Sequence, residues 1–290
     1  GSGGMLVKCL DYLRNKGEEW QSVQVFGQEV NGLTSSIARM NLYLNGVEDF
    51  SIACADTLEH PAFLDGSHLR KFDIVLANPP YSIKEWNREK FMNDKWGRNF
   101  LGTPPQGRAD YAFFQHIIAS MDRNTGRCAI LFPHGVLFRD EEYELRKKLV
   151  EIDIVDCVIG LGPNLFFNAS MEACIIICKN RKEDSHKGKV IFIDAKGEVS
   201  RKNAESYLEN THIQKIISAY ENFEDIEYFA KVADINDIDN NKSLLSIQSY
   251  VKQKGTNEIY ILDESLPKWI EASRSMHIEV ANLLSMLKYE

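Results

Sequence analysis

The chain has 290 residues, 44% of them hydrophobic, with 34 basic against 42 acidic side chains and a net charge of −8. That length and apolar content can bury a sizeable core, in one large or two modest domains. A protein that holds nucleic acid by itself is usually basic, so the charge leaves any phosphate binding to a local patch or to a partner. No apolar run is long enough to cross a bilayer, residues 175–177 falling far short, and no signal peptide is apparent. The chain reads as soluble and cytoplasmic.

In chain order, Gly1, Ser2, Gly3 and Gly4 come first. Such residues permit a tight turn and close backbone approach to a ligand, and they also make ordinary flexible linkers. Strand-like runs then recur at residues 23–26, 50–54, 72–77, 127–132, 154–159, 174–178 and 190–193. Helical patterns lie between several of them, at 34–44, 111–121 and 139–150, the first with Ile37, Met40 and Leu44 on one face. Strand–helix alternation predicts a doubly wound α/β sheet. Gly160, Gly162 and Pro163 mark an irregular loop suited to site residues. Cys9, Cys54, Cys128, Cys157, Cys174 and Cys178 are dispersed and read as small core hydrophobes in a reducing compartment. Cys174 and Cys178 share a strand face, but no matching Cys or His pair accompanies them, so no metal site is expected.

Beyond residue 187 one more strand gives way to polar, acidic, mostly helical sequence. Residues 221–239 hold seven acidic residues and one lysine, a solvated or protein-facing surface rather than one for DNA. The expected division is 1–194 for a catalytic core and 195–290 for a mostly helical C-terminal region. Residues 267–290 read as an amphipathic helix with Trp269, Ile270, Met276, Ile278, Val280, Leu283, Leu284 and Leu287 apolar. That helix either packs on its own domain or meets a partner.

Asn78-Pro79-Pro80-Tyr81 carries the most chemical information. It ends the apolar run at 72–77, and its prolines stop the strand and stiffen the turn. A rigid loop at the carboxyl end of a strand is the usual place for a site in an open α/β sheet. The Asn78 side-chain oxygen and the Pro79 carbonyl can accept both hydrogens of an exocyclic amine, and Tyr81 can stack on a flat ring. Such an amine is a poor nucleophile because its lone pair is delocalised, so two acceptors that favour tetrahedral geometry would aid attack. Glu29 and Asp56 end consecutive strands. A carboxylate there can accept from a ribose diol or a base amine, or simply cap a turn. From residue 84 to 108 there are six basic and three acidic residues with Trp86 and Trp96, which reads either as a phosphate-holding patch or as an ordinary solvated loop.

Around Asn78-Pro79-Pro80-Tyr81 runs an ordered series. It comprises Phe26-Gly27-Gln28-Glu29, Ala38-Arg39-Met40-Asn41-Leu42, Cys54-Ala55-Asp56-Thr57-Leu58, Gly107-Arg108-Ala109-Asp110-Tyr111-Ala112-Phe113, Pro133-His134-Gly135-Val136-Leu137-Phe138-Arg139 and Asn164-Leu165-Phe166-Phe167. From residue 1 to about 250 the chain resembles the modification (methylase) subunit of type I restriction–modification systems, an N6-adenine DNA methyltransferase. The resemblance implies a Rossmann-like S-adenosylmethionine-dependent methyltransferase sheet with a mainly helical C-terminal extension. It implies cofactor contacts from Gly1, Ser2, Gly3, Gly4, Glu29, Asp56 and Asn78, and catalysis at Asn78, Pro79, Pro80 and Tyr81. A target base flipped from the duplex would stack on Tyr81, with Phe166 or Phe167 over its other face, Phe167 being favoured. Asp110 and Phe113 are placed at the border of the cofactor cleft. DNA, a specificity subunit and a restriction subunit are the implied partners, with no membrane, and the C-terminal region is implied to touch the specificity subunit. In the family a strand precedes the glycine turn. Its absence here leads to the expectation that the chain is a piece of a longer protein without the central strand. The same loop occurs in enzymes that methylate a protein glutamine or an RNA guanine, and a catalytically silent scaffold piece is a further alternative.

Overall fold

A computed structural model of the chain describes residues 1–166, 171–202, 205–253 and 262–286. In order, its elements are α1 (Gly4–Lys16), β1 (Val25–Glu29), α2 (Gly32–Leu44), β2 (Phe50–Cys54), β3 (Leu64–Asp65), β4 (His68–Leu69), β5 (Ile74–Ala77), α3 (Arg88–Met92) and α4 (Asp110–Ser120). There follow β6 (Arg127–Pro133), α5 (Tyr143–Glu151), β7 (Val155–Leu161), β8 (Ala173–Lys179), β9 (Lys189–Ala195), β10 (Ser200–Lys202), β11 (Glu205–Tyr207), α6 (Asn210–Asn222), β12 (Ala230–Asp234), α7 (Ile235–Asn240) and α8 (Leu262–Met286). Two compact units result, Gly1–Lys252 and Gln253–Glu290.

The main sheet of the first unit has six strands in the order β12-β9-β7-β8-β6-β5. β5 runs parallel to β6 and β7 parallel to β9, while β8 lies antiparallel between β6 and β7. Both faces are covered. Phe114, Ile117 and Ile118 of α4 and Leu145 and Leu149 of α5 pack with Ile130, Phe132 and Ile176 in one core. Ile216 and Ala219 of α6 pack with Cys157, Ile159, Ile191 and Ile193 in another. The alternation of β7 residues between the two cores is the period-2 pattern of a strand buried on both faces. A register shift between Val155 and Cys157 leaves Asp156 as an extra residue in β7. Its buried carboxylate meets Tyr220 Oη at 2.6 Å and Lys179 Nζ at 3.1 Å.

β1 and β2 form a separate parallel pair, not hydrogen-bonded to β5. Among the described residues β1 pairs with β2 alone and β5 with β6 alone, so each has an edge without ladder partners. The strands start close together, with the Phe26 and Phe72 rings 5.3 Å apart.

The α2 face that carries Ile37, Met40 and Leu44 is open, the three being 47%, 58% and 74% exposed. α2 sits on β1 and β2 through Ser35, Ala38 and Leu42 instead. β12 pairs with β9, and the first compact unit runs on to Lys252. Cys54 is exposed, unlike the four buried cysteines of the main sheet. In the second unit α8 begins at Leu262, ahead of Pro267, and leaves Trp269, Ile270, Met276, Ile278 and Val280 exposed. No described helix is long and apolar enough to cross a membrane.

Candidate active site

Parallel register brings the carboxyl ends of β1 and β2 side by side, Glu29 opposite Cys54. Glu29 Oε1 accepts the Asn31 N–H at 2.8 Å, and Oε2 pairs with the Gly1 amino group. Burial alone would raise the Glu29 pKa, but these donors outweigh it and hold the carboxyl below its ordinary value. Gly3 takes φ +78° as the N-cap of α1, a left-handed backbone that a side chain would strain. Asn41 Nδ2 donates to the Ser2 carbonyl at 3.1 Å and fixes the turn against α2. Nothing lies within 4 Å of the position a Cβ would take at Gly1 or Gly4, so the turn is open to an approaching molecule. Asp56 Oδ1 accepts from the Leu58 and Glu59 N–H groups at 2.8 and 3.0 Å, an Asx turn, while Oδ2 has no partner among the described residues. Asp56 therefore fills the turn role and keeps one oxygen free.

Asn78 follows β5 directly. Its side chain is exposed and makes no hydrogen bond to the described residues, whereas Pro79 is buried and roots the loop. Tyr81 is half-buried, and burial, with smaller contributions from Cys174 and Asp110, pushes its pKa up to about 12. It stays a neutral ring at physiological pH. Phe166 is half-buried against the core beneath α6; Phe167 lies outside the described residues.

Asp110 is fully buried behind the loop and accepts the Ser82 N–H at 2.7 Å. Phe113 packs with Ile83, Trp86 and Phe91. The basic stretch at 84–108 is largely folded onto itself. Arg98 is buried, pairs with Asp94 at 2.7 Å and donates to the Thr57 and Leu58 carbonyls. Arg88 donates to the Pro104 carbonyl, and Lys90 pairs with Glu59; only Lys84 and Lys95 of that series are exposed. Sequence reading gave no role to Ser82, Arg139 or Glu142, which gather behind the loop. Elsewhere Asp156, Glu183 and His186 bring ligand-type atoms within 4.8 Å of one another. Lys179 Nζ, 2.9 Å from Glu183, already supplies positive charge there.

The open glycine turn before α1, the acidic residues at the carboxyl ends of β1 and β2, and the proline-stiffened amide loop after β5 are arranged as a ligand site of an α/β fold is. The chain belongs to the N-6 DNA Methylase family, which matches it over residues 1–259. It is similar to the methylase subunit of the type I restriction enzyme HindI from Haemophilus influenzae, at 30% identity over all of this chain and 68% of that protein. The methylase subunit of the type I restriction enzyme MjaVII from Methanocaldococcus jannaschii is 33% identical over 87% of this chain and 44% of that one. The crystal structure of a type I restriction–modification methyltransferase subunit from Streptococcus thermophilus superposes with a TM-score of 0.79 and 38% identity, covering 87% of this chain and 52% of that one. This chain thus spans about half the length of several relatives it matches.

Proposed function

We propose that the chain is the catalytic part of an S-adenosylmethionine-dependent N6-adenine DNA methyltransferase, the modification subunit of a type I restriction–modification complex. The observation that carries this is the exposed, unpartnered Asn78 amide between the end of β5 and the buried Pro79. Two neighbouring acceptors, Asn78 Oδ1 and the Pro79 carbonyl, suit the two hydrogens of an adenine amine. Holding both N–H groups aligns the nitrogen lone pair with its target, and positioning of this kind supplies much of the rate. Tyr81 offers the flipped base an aromatic face. Phe166 or Phe167 covers the other face in this reading. No strong general base is needed, since the proton leaves once the new bond has formed.

The residues present fit S-adenosylmethionine. The open turn at Gly1, Ser2, Gly3 and Gly4 accommodates its methionine portion, Glu29 its ribose diol and the free Oδ2 of Asp56 its adenine amine. When bound, the cofactor supplies an electrophilic methyl group. The finer fold reading is a single doubly wound Rossmann-like sheet in which one further strand lies between β1 and β5, supported by their two unpaired edges. In this reading the net charge of −8 leaves most of the DNA affinity to a partner or a local patch, and a specificity subunit reads the sequence. The exposed apolar side chains of α8 are the proposed contact with that subunit, and a restriction subunit completes the complex.

The test is nucleoside mass spectrometry of DNA from cells expressing the intact protein with its specificity partner, beside an Asn78→Ala version. N6-methyladenine is expected with the first and absent with the second. Its absence from both, with both proteins folded, would move the substrate to a protein glutamine or an RNA guanine.

A further inference from the structure

Ser82, directly after Tyr81, has φ +50°. A non-glycine residue in the left-handed region is uncommon and strained, so surrounding structure must hold it there. Asp110, fully buried as the first residue of α4, does so through both oxygens. Oδ1 accepts the Ser82 N–H at 2.7 Å, and Oδ2 accepts the Ser82 hydroxyl at 3.3 Å. Arg139 closes the arrangement: Nη1 donates to Asp110 Oδ2 at 2.7 Å and Nη2 to Ser82 Oγ at 3.4 Å. Its guanidinium lies across Gly135, where a Cβ would overlap it. The Arg139 carbonyl accepts from Arg146 Nη1 at 2.9 Å, and buried Arg146 is itself anchored on the Ser243 carbonyl at 2.8 Å.

We propose that Asp110 and Arg139 are positioning residues that clamp the Asn78-Pro79-Pro80-Tyr81 loop through Ser82; this rests on the catalytic reading of that loop. One end of the loop is fixed by β5 pairing to β6. Pro79 and Pro80 have no N–H and cannot donate a hydrogen bond from their own backbone. The other end is fixed by Ser82, so the clamp sets where the Asn78 and Pro79 acceptors stand. Three sequence blocks far apart in the chain, 78–82, 107–113 and 133–139, thereby act on one loop. A buried ion pair is weak evidence for stability as such, since apolar replacement of both partners is often neutral. Here the pair binds the hydroxyl and, through Asp110, the N–H of one strained residue beside the site, which is the mark of a conformational role.

The experiment uses the intact protein with its specificity partner, as wild type, Arg139→Lys, Asp110→Asn and the double variant. Hydrogen–deuterium exchange is read on the peptide spanning residues 77–86, and methylation kinetics on a DNA that the wild type modifies. In each single variant that peptide should exchange roughly tenfold faster, with β6, β7 and β8 unchanged. kcat should fall by about 100-fold, as a displacement near 1 Å costs, with KM for DNA and cofactor within about threefold of wild type. The double variant should be no worse than the poorer single one, because both act through one contact. Unchanged exchange in 77–86, faster exchange spread over the whole sheet, or unchanged kcat despite faster loop exchange would each overturn the clamp. A wild-type complex that methylates no adenine while the exchange contrast persists would count against the catalytic reading and leave the clamp itself supported.

Discussion

At the residue scale, Glu142 shows how the network behind the loop sets a titration. Its side chain is fully buried, Oε1 has no partner and Oε2 lies 3.5 Å from Arg139 Nη1. Burial pushes its pKa from 4.5 to about 7; Arg139 and Arg108 pull it down and Asp110 pushes it further up. The folded chain therefore holds this proton more tightly than the unfolded chain. The associated stability is fully present below about pH 4.5 and is lost as pH rises through about 7. Glu142→Gln should flatten that dependence and make the protein more stable than wild type above pH 8, by up to about 3 kcal/mol. Urea unfolding of both proteins at pH 5 and pH 8 checks this. An equal loss of stability in both over that interval would show that Glu142 is not the group responsible.

At the element scale, the segment between β5 and α4 folds inward rather than forming an ordinary solvated loop. Arg98 stacks over Trp96 at 4.8 Å and ties α3 to the turn that follows β2, where Asp56 sits. His116, beside it, is half-buried, and desolvation, with the Arg98 charge, pushes its pKa down to about 3, so it is neutral at physiological pH. Removing Arg98 alone strands a buried Asp94 carboxylate. Arg98→Met should therefore cost about 3–5 kcal/mol, while Arg98→Met with Asp94→Leu should recover much of it. Thermal or urea denaturation of the single and double variants measures the difference. A double variant no more stable than the single would mean that the backbone carbonyls of Thr57 and Leu58, rather than Asp94, are the partners that matter.

At the scale of the whole molecule, the separation of β1–β2 from the six-stranded sheet is the dominant feature. Among the described residues β1 and β5 each keep an edge without ladder partners, which leaves Glu29 and the Asn78 loop at the ends of strands in separate sheets. A version carrying, ahead of Gly1, a strand able to pair with β1 and β5 should bind S-adenosylmethionine, and residues 1–290 alone weakly or not at all. Isothermal titration of the two proteins decides this. Equal, tight binding by both would show that a strand between β1 and β5 is dispensable for the cofactor.

The sequence by itself determined the β5 strand, the proline-stiffened loop after it, the acidic residues ending β1 and β2, and the family. Each of these is written within a few neighbouring residues, as an apolar run, a proline pair or an ordered block of motifs. Only the tertiary structure decided that Asp110, Gly135 and Arg139 converge on Ser82, that β12 joins the main sheet, and that Ile37, Met40 and Leu44 face outward. Hydrophobic periodicity says which residues share a face, not which face is covered. An ion pair between residues 29 positions apart depends on how the strands are ordered, which no local pattern encodes.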